Sequence, residues 1–523
     1  MRLAEYIYAN FPQYLKFDQL ALYPDGMKIG YKPLLAYLIA SLSKITSVDI
    51  ELVGAFLPPI VGSLTVIPVY FLGKVVFNKY VGLLGALIFV LLPGEFLHRS
   101  LLGYPDHHFL EAILSLLTIL FLVRYDKGFG YRWSVFSGVS LGLYLMNWFG
   151  AYLLVAIIAT WFLIKYGYLV YSRKSVTRLA IGILMTLGVA SFMSFTLWDY
   201  FTKMAMGFTI LIISAMWGLT LIPKWAVSLA LVTLGPVVAS LAFKGWPIIL
   251  ERFMSAFWGF GTTISEANPT SLNLALDTYG LGAFMALGGV YLSIKNKVNS
   301  LFVVFYIFIS LLAIGQLRWG YYMASGVALL SAYLILLVPK HLKEIVRPTV
   351  IFIMTFFLLM SITKAFHHTI NLPNNITTHW YDALVWLNKN SPEPYNNANY
   401  YTQSNLGLPK YGILTWWDYG DWVIRIAKRS PSSNNMASDE PRFPNFITSK
   451  TKEEAEVHLK GVNIKYVLLD WEVLTGKWYA VQTKAKRNIS TTDSIALRLW
   501  AGELEGYKLV YTNGHVRIIE KVN

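Results

Sequence analysis

The sequence has no cysteine among its 523 residues, which excludes a disulfide framework. It also has no apolar stretch near its start that would mark a cleavable signal peptide, because residues 1–33 are polar and aromatic. No repeat of fixed period and no low-complexity tract is visible. These absences exclude a disulfide-stapled scaffold and a repeat protein.

Charged residues are also scarce, at 14% of the sequence, whereas hydrophobic residues make up 55%. The apolar residues occur in runs of about 16–22 residues between short charged loops, which is typical of a polytopic membrane protein. After residue 364 the sequence becomes polar and mixed for about 160 residues, enough for one soluble domain. We therefore predict a multi-pass α-helical membrane domain over residues 1–364 and a soluble domain over residues 365–523.

Basic residues outnumber acidic ones, 44 to 29, and they are concentrated in alternate loops between the predicted spans. The positive-inside rule assigns those basic loops to the cytoplasm. The loops 1–50 and 244–278 and the C-terminal domain then lie outside, so that the positive charge indicates topology rather than nucleic-acid binding. An external domain without disulfides suits a prokaryote. The predicted spans are 52–72, 82–97, 108–123, 133–147, 149–164, 179–195, 207–222, 225–243, 279–294, 300–316, 321–338 and 348–364.

The C-terminal domain combines helical and strand patterns. Apolar spacing predicts helices at His379–Asn388 and Trp422–Lys428, and Ile464–Leu469 is typical of a buried strand. Asn513-Gly514, between two short strand patterns, predicts a hairpin. We therefore expect a mixed α/β fold.

The same domain contains the segment Trp416-Trp417-Asp418-Tyr419-Gly420. An indole N–H only donates hydrogen bonds, and an ionised carboxylate only accepts them. Trp416, Trp417 and Asp418 can therefore surround a small hydroxyl and reject a ligand without it by roughly 10⁴-fold. The alternative is a pair of core aromatic residues beside an aspartate that caps a helix.

The external loops carry ionisable residues beside the predicted spans. In Tyr104-Pro105-Asp106-His107-His108, Asp106 and His108 can face one cation while the intervening histidine turns away or acts behind them. Glu266 lies in the longest external loop, and Arg318 is a lone cation that a lipid headgroup or a diphosphate would neutralise. The alternatives are a structural Asp–His pair, a solvated glutamate and an arginine that reaches the membrane interface.

These residues resemble the motifs of the catalytic subunit of oligosaccharyltransferase, a C-type glycosyltransferase, in its archaeal single-subunit form. The resemblance covers essentially the whole chain. Trp416–Gly420 resembles the W-W-D-Y-G signature, Tyr104–His108 resembles the second acidic motif, and Thr263–Glu266 resembles the T-I-x-E motif. Arg318 stands at the position of the arginine that contacts the lipid phosphate.

The resemblance implies transfer of an oligosaccharide from a dolichyl phosphate or diphosphate donor to Asn in Asn-x-Ser/Thr, with inversion of the anomeric centre. Asp106 and Glu266 are the implied catalytic residues, and with His108 they would hold Mn²⁺ or Mg²⁺. Arg318 would contact the donor phosphates. The implied partners are the lipid-linked oligosaccharide, an acceptor polypeptide and the bilayer of the cell membrane, with no nucleic acid and no second subunit.

A further motif concerns the choice of acceptor. Asp470-Trp471-Glu472-Val473 with Lys477 resembles the family's D-x-x-M-x-x-x-K motif, with valine in place of methionine. The resemblance implies that Val473 lines the methyl side of an acceptor threonine, a contact worth about 1–3 kcal/mol. The implied sequon-binding residues are Trp416, Trp417, Asp418, Asp470, Val473 and Lys477.

The resemblance also concerns the start of the chain. In the family, a first transmembrane helix and an Asp motif precede the stretch that Met1–Tyr6 resembles. We therefore expect this sequence to begin after that helix and after one catalytic carboxylate.

Two other functions remain open from the sequence. Another C-type glycosyltransferase, acting on hydroxyls, would share the topology and the acidic loops but would not need a W-W-D pocket. A transporter usually has ionisable residues near the bilayer midplane and paired repeats, and the sequence pattern predicts neither. Two acceptor-type tripeptides, at Asn375 and Asn488, either offer sites for self-glycosylation or occur by chance.

Overall fold

The computed structural model describes residues 1–194, 200–221, 265–341, 343–349, 376–396 and 399–522, with a few further residues between 352 and 367. Contacts divide the chain into two compact units. One unit is residues 54–372, and the other joins residues 1–53 with residues 373–523.

The chain begins with short helices and strands. These are α1 (Arg2–Asn10), β1 (Phe17–Asp18), β2 (Met27–Lys28) and α2 (Leu34–Thr46). The two strands pair antiparallel. We predicted this region as an external loop, and its residues 1–53 group with the C-terminal domain.

Apolar helices form the next and largest part of the chain. By length and composition, five helical stretches among the described residues can cross a membrane, namely Ile50–Val76, His108–Asp126, Tyr152–Tyr171, Thr177–Ser194 and Leu317–Leu337. This agrees with the predicted multi-pass domain. The helices are α3 (Ile50–Leu64), α4 (Val66–Val76), α5 (Lys79–Leu91), α6 (Glu95–His98), α7 (His108–Asp126), α8 (Arg132–Asn147), α9 (Tyr152–Tyr171), α10 (Thr177–Ser194), α11 (Tyr200–Leu219), α12 (Leu272–Tyr279), α13 (Gly282–Lys295), α14 (Ser300–Gly315) and α15 (Gly320–Leu337).

Two of the predicted spans, 225–243 and 348–364, fall outside the described residues apart from isolated positions. The predicted loop 244–278 differs from a plain loop in its described part, because that part contains α12. The Ser271 hydroxyl caps this helix by accepting a hydrogen bond from the Leu274 N–H at 3.2 Å. A capped, partly apolar turn thus leads directly into the next helix.

The C-terminal domain is mixed α/β, as predicted. Its strands β3 (Gly412–Leu414), β4 (Ile464–Asp470), β5 (Tyr507–Thr512) and β6 (Val516–Lys521) form one sheet in the order β3-β4-β6-β5. The predicted strand and hairpin are confirmed, since β4 is almost wholly buried and β5 and β6 pair antiparallel. The helices are α16 (Thr378–Asn390), α17 (Trp417–Trp422), α18 (Arg442–Ile447), α19 (Lys452–Val457), α20 (Trp471–Leu474), α21 (Trp478–Ala485) and α22 (Ala496–Ala501).

Tyr23 shows how the N-terminal segment joins this domain. Its ring belongs to the same hydrophobic core as the sheet. Its backbone N–H donates to the Pro431 carbonyl at 2.8 Å, and its hydroxyl accepts from the Asn463 N–H at 3.1 Å. Arg425 adds ion pairs with Glu5 at 3.0 Å and Glu51 at 2.9 Å. Because these contacts link positions roughly four hundred residues apart, local sequence pattern could not indicate them.

The W-W-D-Y-G segment forms the start of helix α17, which begins at Trp417. The predicted helix at Trp422–Lys428 therefore starts five residues earlier than expected, and its remainder, Val423–Ala427, winds as a π-helix. Gly420 lies inside α17 at a close approach of two backbones. A Cβ at this position would lie 1.9 Å from the Ser433 carbonyl oxygen.

We predict that Gly420→Ala destabilises the domain, because the backbone of Ser433 has to move to admit a methyl group. Overpacking of this kind costs about 1–3 kcal/mol. The thermal unfolding midpoint of the purified full chain, followed by tryptophan fluorescence, measures the effect. Gly476→Ala is the control, since its Cβ would meet no atom closer than 3.8 Å. Equal midpoints for the two variants would contradict the packing argument.

Candidate active site

Asp106, His107 and His108 form a group of metal-ligating side chains where α7 begins. Their ligand atoms all lie within 4.8 Å of one another. His108 Nε2 is 3.4 Å from Asp106 Oδ2. The structure therefore brings together the predicted pair Asp106 and His108. The Asp106 side chain is 39% exposed, so that the group is open to solvent or to a ligand.

His107 joins this group instead of turning away from it. Its Nδ1 lies 3.2 Å from Asp106 Oδ1 and 2.8 Å from Glu111 Oε1. Burial of His107 disfavours the imidazolium, but these two carboxylates outweigh burial and raise its pKa to about 9. Burial likewise raises the pKa of Asp106, but His108 and His107 outweigh that effect and lower it to about 2. Near neutral pH, the group thus holds the ionised Asp106 carboxylate beside a His107 imidazolium.

Glu111 lies one turn further along α7 and is fully buried. His108 Nδ1 is 3.1 Å from Glu111 Oε1, and the Tyr321 hydroxyl donates to Glu111 Oε2 at 2.9 Å. Our reading of the sequence missed this residue. The signal was present, because an ionisable residue inside a predicted span is by default a functional candidate.

Glu266 is held by an arginine that the sequence analysis did not select. Arg99 Nη2 lies 2.5 Å from Glu266 Oε2, and Arg99 Nη1 donates to the Tyr104 hydroxyl at 3.1 Å. Burial raises the pKa of Glu266, but Arg99 outweighs burial and lowers it, with smaller contributions from His108 and Arg318. Glu266 is therefore kept as an anion chiefly by Arg99. Thr263 and Ile264 of the same motif lie outside the described residues.

Arg318 lies in a short 3₁₀ turn, Leu317–Trp319, directly before α15. Its Nε atom is buried and has no hydrogen-bond partner among the described residues. A guanidinium N–H left in this state costs free energy unless a ligand accepts from it. Arg318 therefore has a guanidinium N–H near Glu266 to which a ligand can bind.

The second predicted site, in the C-terminal domain, centres on Asp418. Trp416 Nε1 donates to Asp418 Oδ2 at 3.1 Å, and Lys477 Nζ lies 2.8 Å from the same oxygen. Trp417 Nε1 is buried and lacks a hydrogen-bond partner within the described part of the chain. Asp418 does not cap α17, whose N-cap residue Trp416 makes no side-chain cap bond. The alternative of a capping aspartate therefore does not describe this residue.

Asp470 holds the residues around Asp418 in place through hydrogen bonds. Its Oδ2 accepts from the Tyr419 hydroxyl at 2.6 Å and from Trp380 Nε1 at 2.9 Å, while its Oδ1 accepts from the Val473 N–H at 2.9 Å. Both carboxylate oxygens are thus in use. Tyr419 in turn contacts Lys477 Nζ at 3.2 Å. Sequence analysis did not select Trp380, which lies on α16 far from the motifs.

Val473 completes the set and is fully buried. Its backbone is fixed by Asp470, and its side chain belongs to the core that also contains Trp416 and Tyr419. All six residues predicted to bind the sequon therefore lie in one connected cluster of the C-terminal domain. The four residues predicted for chemistry lie in the helical unit.

Comparison with known proteins gives two family matches. Residues 1–370 match the model described as the N-terminal part of oligosaccharyl transferase STT3, and residues 377–474 match the AglB core domain. The chain is 27% identical to a dolichyl-phosphooligosaccharide-protein glycotransferase of Archaeoglobus fulgidus, over 93% of this chain and 67% of that protein. The chain therefore spans about two thirds of the length of this relative.

Two solved structures from the same organism share the fold. The archaeal oligosaccharyltransferase AglB, in complex with an inhibitory peptide and a dolichol-phosphate, aligns with a TM-score of 0.83 at 22% identity, over 100% of this chain and 70% of that one. An oligosaccharyltransferase complex with zinc and sulfate aligns with a TM-score of 0.73 at 24% identity, over 100% and 68%. Since the STT3 model alone matches more than half of the sequence, the resemblance is confirmed and this chain belongs to the STT3/AglB family of oligosaccharyltransferases.

Proposed function

We propose that this chain transfers an oligosaccharide from a dolichyl phosphate or diphosphate donor to the side-chain nitrogen of Asn in Asn-x-Ser/Thr. Membership of the STT3/AglB family supports this reaction. The observation that carries the acceptor specificity is the unpaired Trp417 Nε1, which is next in sequence to Asp418, whose carboxylate is held by Trp416 and Lys477. These two groups offer a donor and an acceptor to one hydroxyl.

In the helical unit, Asp106 and His108 offer ligands that suit a divalent cation, and Glu266, now paired with Arg99, is the third proposed ligand. Asp106 supplies a carboxylate that is partly exposed, and His108 presents Nε2 on the same side. Oxygen and imidazole ligands suit Mn²⁺ or Mg²⁺. The zinc ion in the relative's crystal structure was bound by that protein and does not identify the metal of this chain. We propose that Asp106, His108 and Glu266 hold the ion, which when bound neutralises charge on the phosphate leaving group.

The remaining residues of this unit act on the acceptor and the donor. An amide nitrogen is a poor nucleophile because its lone pair is delocalised into the carbonyl. Glu266, kept ionised by Arg99, accepts an N–H of the acceptor amide and holds the nitrogen in place. Arg318 directs its unpaired guanidinium N–H at the donor phosphate. Attack from the face opposite the leaving group inverts the anomeric centre.

In the C-terminal domain, we propose that recognition of the sequon is divided between contact and support. Trp417 and Asp418 bind the hydroxyl of the residue two places after the acceptor Asn, with Trp416 fixing the carboxylate. Lys477 neutralises Asp418. Asp470 acts through Tyr419 rather than by touching the peptide, because Asp470 is buried and Tyr419 donates to it. Val473, which the sequence predicted to line the methyl side of the acceptor threonine, is fully buried, so that we assign it to the packing behind that side of the site.

We predict that Trp417→Phe raises KM for an Asn-x-Thr peptide by roughly 5–100-fold, because the hydroxyl loses a donor worth about 1–3 kcal/mol. A fluorescent peptide assay with the lipid-linked donor measures KM and kcat. Trp471→Phe is the control, since Trp471 is half exposed and is not among the residues proposed to bind the sequon. An unchanged KM for Trp417→Phe would count against the proposed role of Trp417. Equal glycosylation of Asn-x-Thr and Gln-x-Thr peptides by the parent chain would count against transfer to Asn and favour a transferase that acts on hydroxyls.

We predict that EDTA abolishes transfer and that added Mn²⁺ or Mg²⁺ restores it. Asp106→Asn should need at least about tenfold more metal, because it loses one of the ligating carboxylates. The metal dependence of the initial rate measures this. Asp277→Asn serves as the control, since Asp277 is an exposed carboxylate that pairs with Lys364. Full activity in EDTA would exclude a metal-dependent reaction.

The proposed orientation places the basic loops in the cytoplasm and the C-terminal domain outside. Because the sequence lacks cysteine, single cysteines report topology without background labelling. In spheroplasts that express the chain, we predict that Lys460→Cys reacts with a membrane-impermeant maleimide and that Lys174→Cys reacts only after lysis. Both lysines are exposed. The reverse labelling pattern would indicate the opposite topology and contradict the proposed orientation.

A further inference from the structure

Glu111 is the buried carboxylate that the reaction proposed above does not use. It lies on α7, in a stretch that is long and apolar enough to span a membrane, and its side chain is fully buried. Burying an ionised carboxylate is costly unless it is paired and hydrogen-bonded. An aliphatic side chain would fill the same space at no such cost. The presence of Glu111 therefore indicates a role that requires a hydrogen-bond acceptor.

The contacts of Glu111 point towards the ligand group. Its Oε1 lies 2.8 Å from His107 Nδ1 and 3.1 Å from His108 Nδ1. An imidazole that donates from Nδ1 to a carboxylate carries its lone pair on Nε2. The Nε2 of His108 is the atom that faces Asp106 Oδ2, at 3.4 Å. The Tyr321 hydroxyl, which donates to Glu111, lies 3.2 Å from the same His108 Nδ1 and can accept from it. Glu111, together with Tyr321, therefore favours the orientation and the tautomer in which His108 can bind a cation.

The other oxygen of Glu111 is held from α15. Tyr321 donates to Oε2 at 2.9 Å, and the Tyr322 hydroxyl also donates to Oε2 and contacts Tyr144. Both tyrosines are buried. Because both oxygens accept hydrogen bonds, the carboxylate is held in one orientation. The carboxylate in turn holds the imidazoles of His107 and His108 in a fixed orientation.

We propose that Glu111 is a positioning residue that builds the cation site in advance, by holding His108 with Nε2 directed at the ion and by adding a negative charge behind the ligands. The proposal rests on the metal site of the proposed function. Partners of this kind typically change metal affinity by about 10–100-fold when they are removed. Asp126 on the same helix makes a suitable contrast, because its partners are Lys165 and Asn299 and it lies at the opposite end.

The test is Mn²⁺ binding to the purified full chain, measured as loss of the free Mn²⁺ signal in electron paramagnetic resonance. Glu111→Gln keeps the shape but loses the charge, and we expect the Kd for Mn²⁺ to rise about 10–100-fold. Asp126→Asn should leave the Kd unchanged. In the peptide assay, Glu111→Gln should recover most of its turnover at saturating Mn²⁺, with the peptide KM unaltered. A purely structural carboxylate would lower turnover at every metal concentration.

A second variant keeps the proposal open to refutation if Glu111→Gln does not fold. Tyr322→Phe leaves the carboxylate but removes one of its donors, and it should weaken Mn²⁺ binding several-fold. Unchanged Mn²⁺ affinity in folded Glu111→Gln, or in Tyr322→Phe where the former does not fold, would overturn the proposal, as would a parent chain whose Mn²⁺ binding is insensitive to Asp106→Asn. If the Mn²⁺ affinities change as expected but no sequon peptide is glycosylated, the proposed function fails while the positioning role stands.

Discussion

Compensation of buried carboxylates is the constraint on which both sites depend. An ionised carboxylate taken out of water needs a partner that supplies charge or hydrogen bonds. Without such a partner, the carboxylate becomes protonated or the region around it unfolds. Glu111 meets this need through two imidazoles and two tyrosine hydroxyls, and Glu266 meets it through Arg99. Each pairing also fixes the geometry of the group that carries it. The cost of burial and the precision of the site thus have the same origin.

The C-terminal domain solves the same problem without a matching charge on Asp470. Three neutral donors, from Tyr419, Trp380 and the Val473 backbone, satisfy this carboxylate. Hydrogen bonds to a charged acceptor are stronger than neutral ones, so that this cluster holds Tyr419 and the start of α20 firmly. The Tyr419 hydroxyl accepts from Lys477, and Lys477 in turn pairs with Asp418. Rigidity around Asp418 thus follows from a buried carboxylate that three donors hold in place.

Much of this arrangement could be predicted from the sequence, and the failures have physical reasons. Hydrophobic run length indicated the spanning helices, and alternation with Asn513-Gly514 indicated the hairpin, because both signals are local. Asp106 and His108 were found together because they are two residues apart. Arg99 and Trp380 were missed because their roles exist only through partners 167 and 90 residues away. Glu111 was missed although its signal was local, since a single acid in an apolar run was counted as part of a span.

Unpaired donors do not identify a functional site by themselves. Trp133 Nε1 and Trp217 Nε1 are also buried without partners within the described residues, and no motif surrounds them. What distinguishes Trp417 and Arg318 is the charge beside each of them. Trp417 is followed in sequence by Asp418, whose carboxylate is held by Lys477, and the guanidinium of Arg318 lies in the field of Glu266. A buried N–H group without a partner costs free energy until a ligand accepts from it. The combination of an unpaired N–H group with a neighbouring anchored charge is therefore the feature on which we base the proposed roles of Trp417 and Arg318.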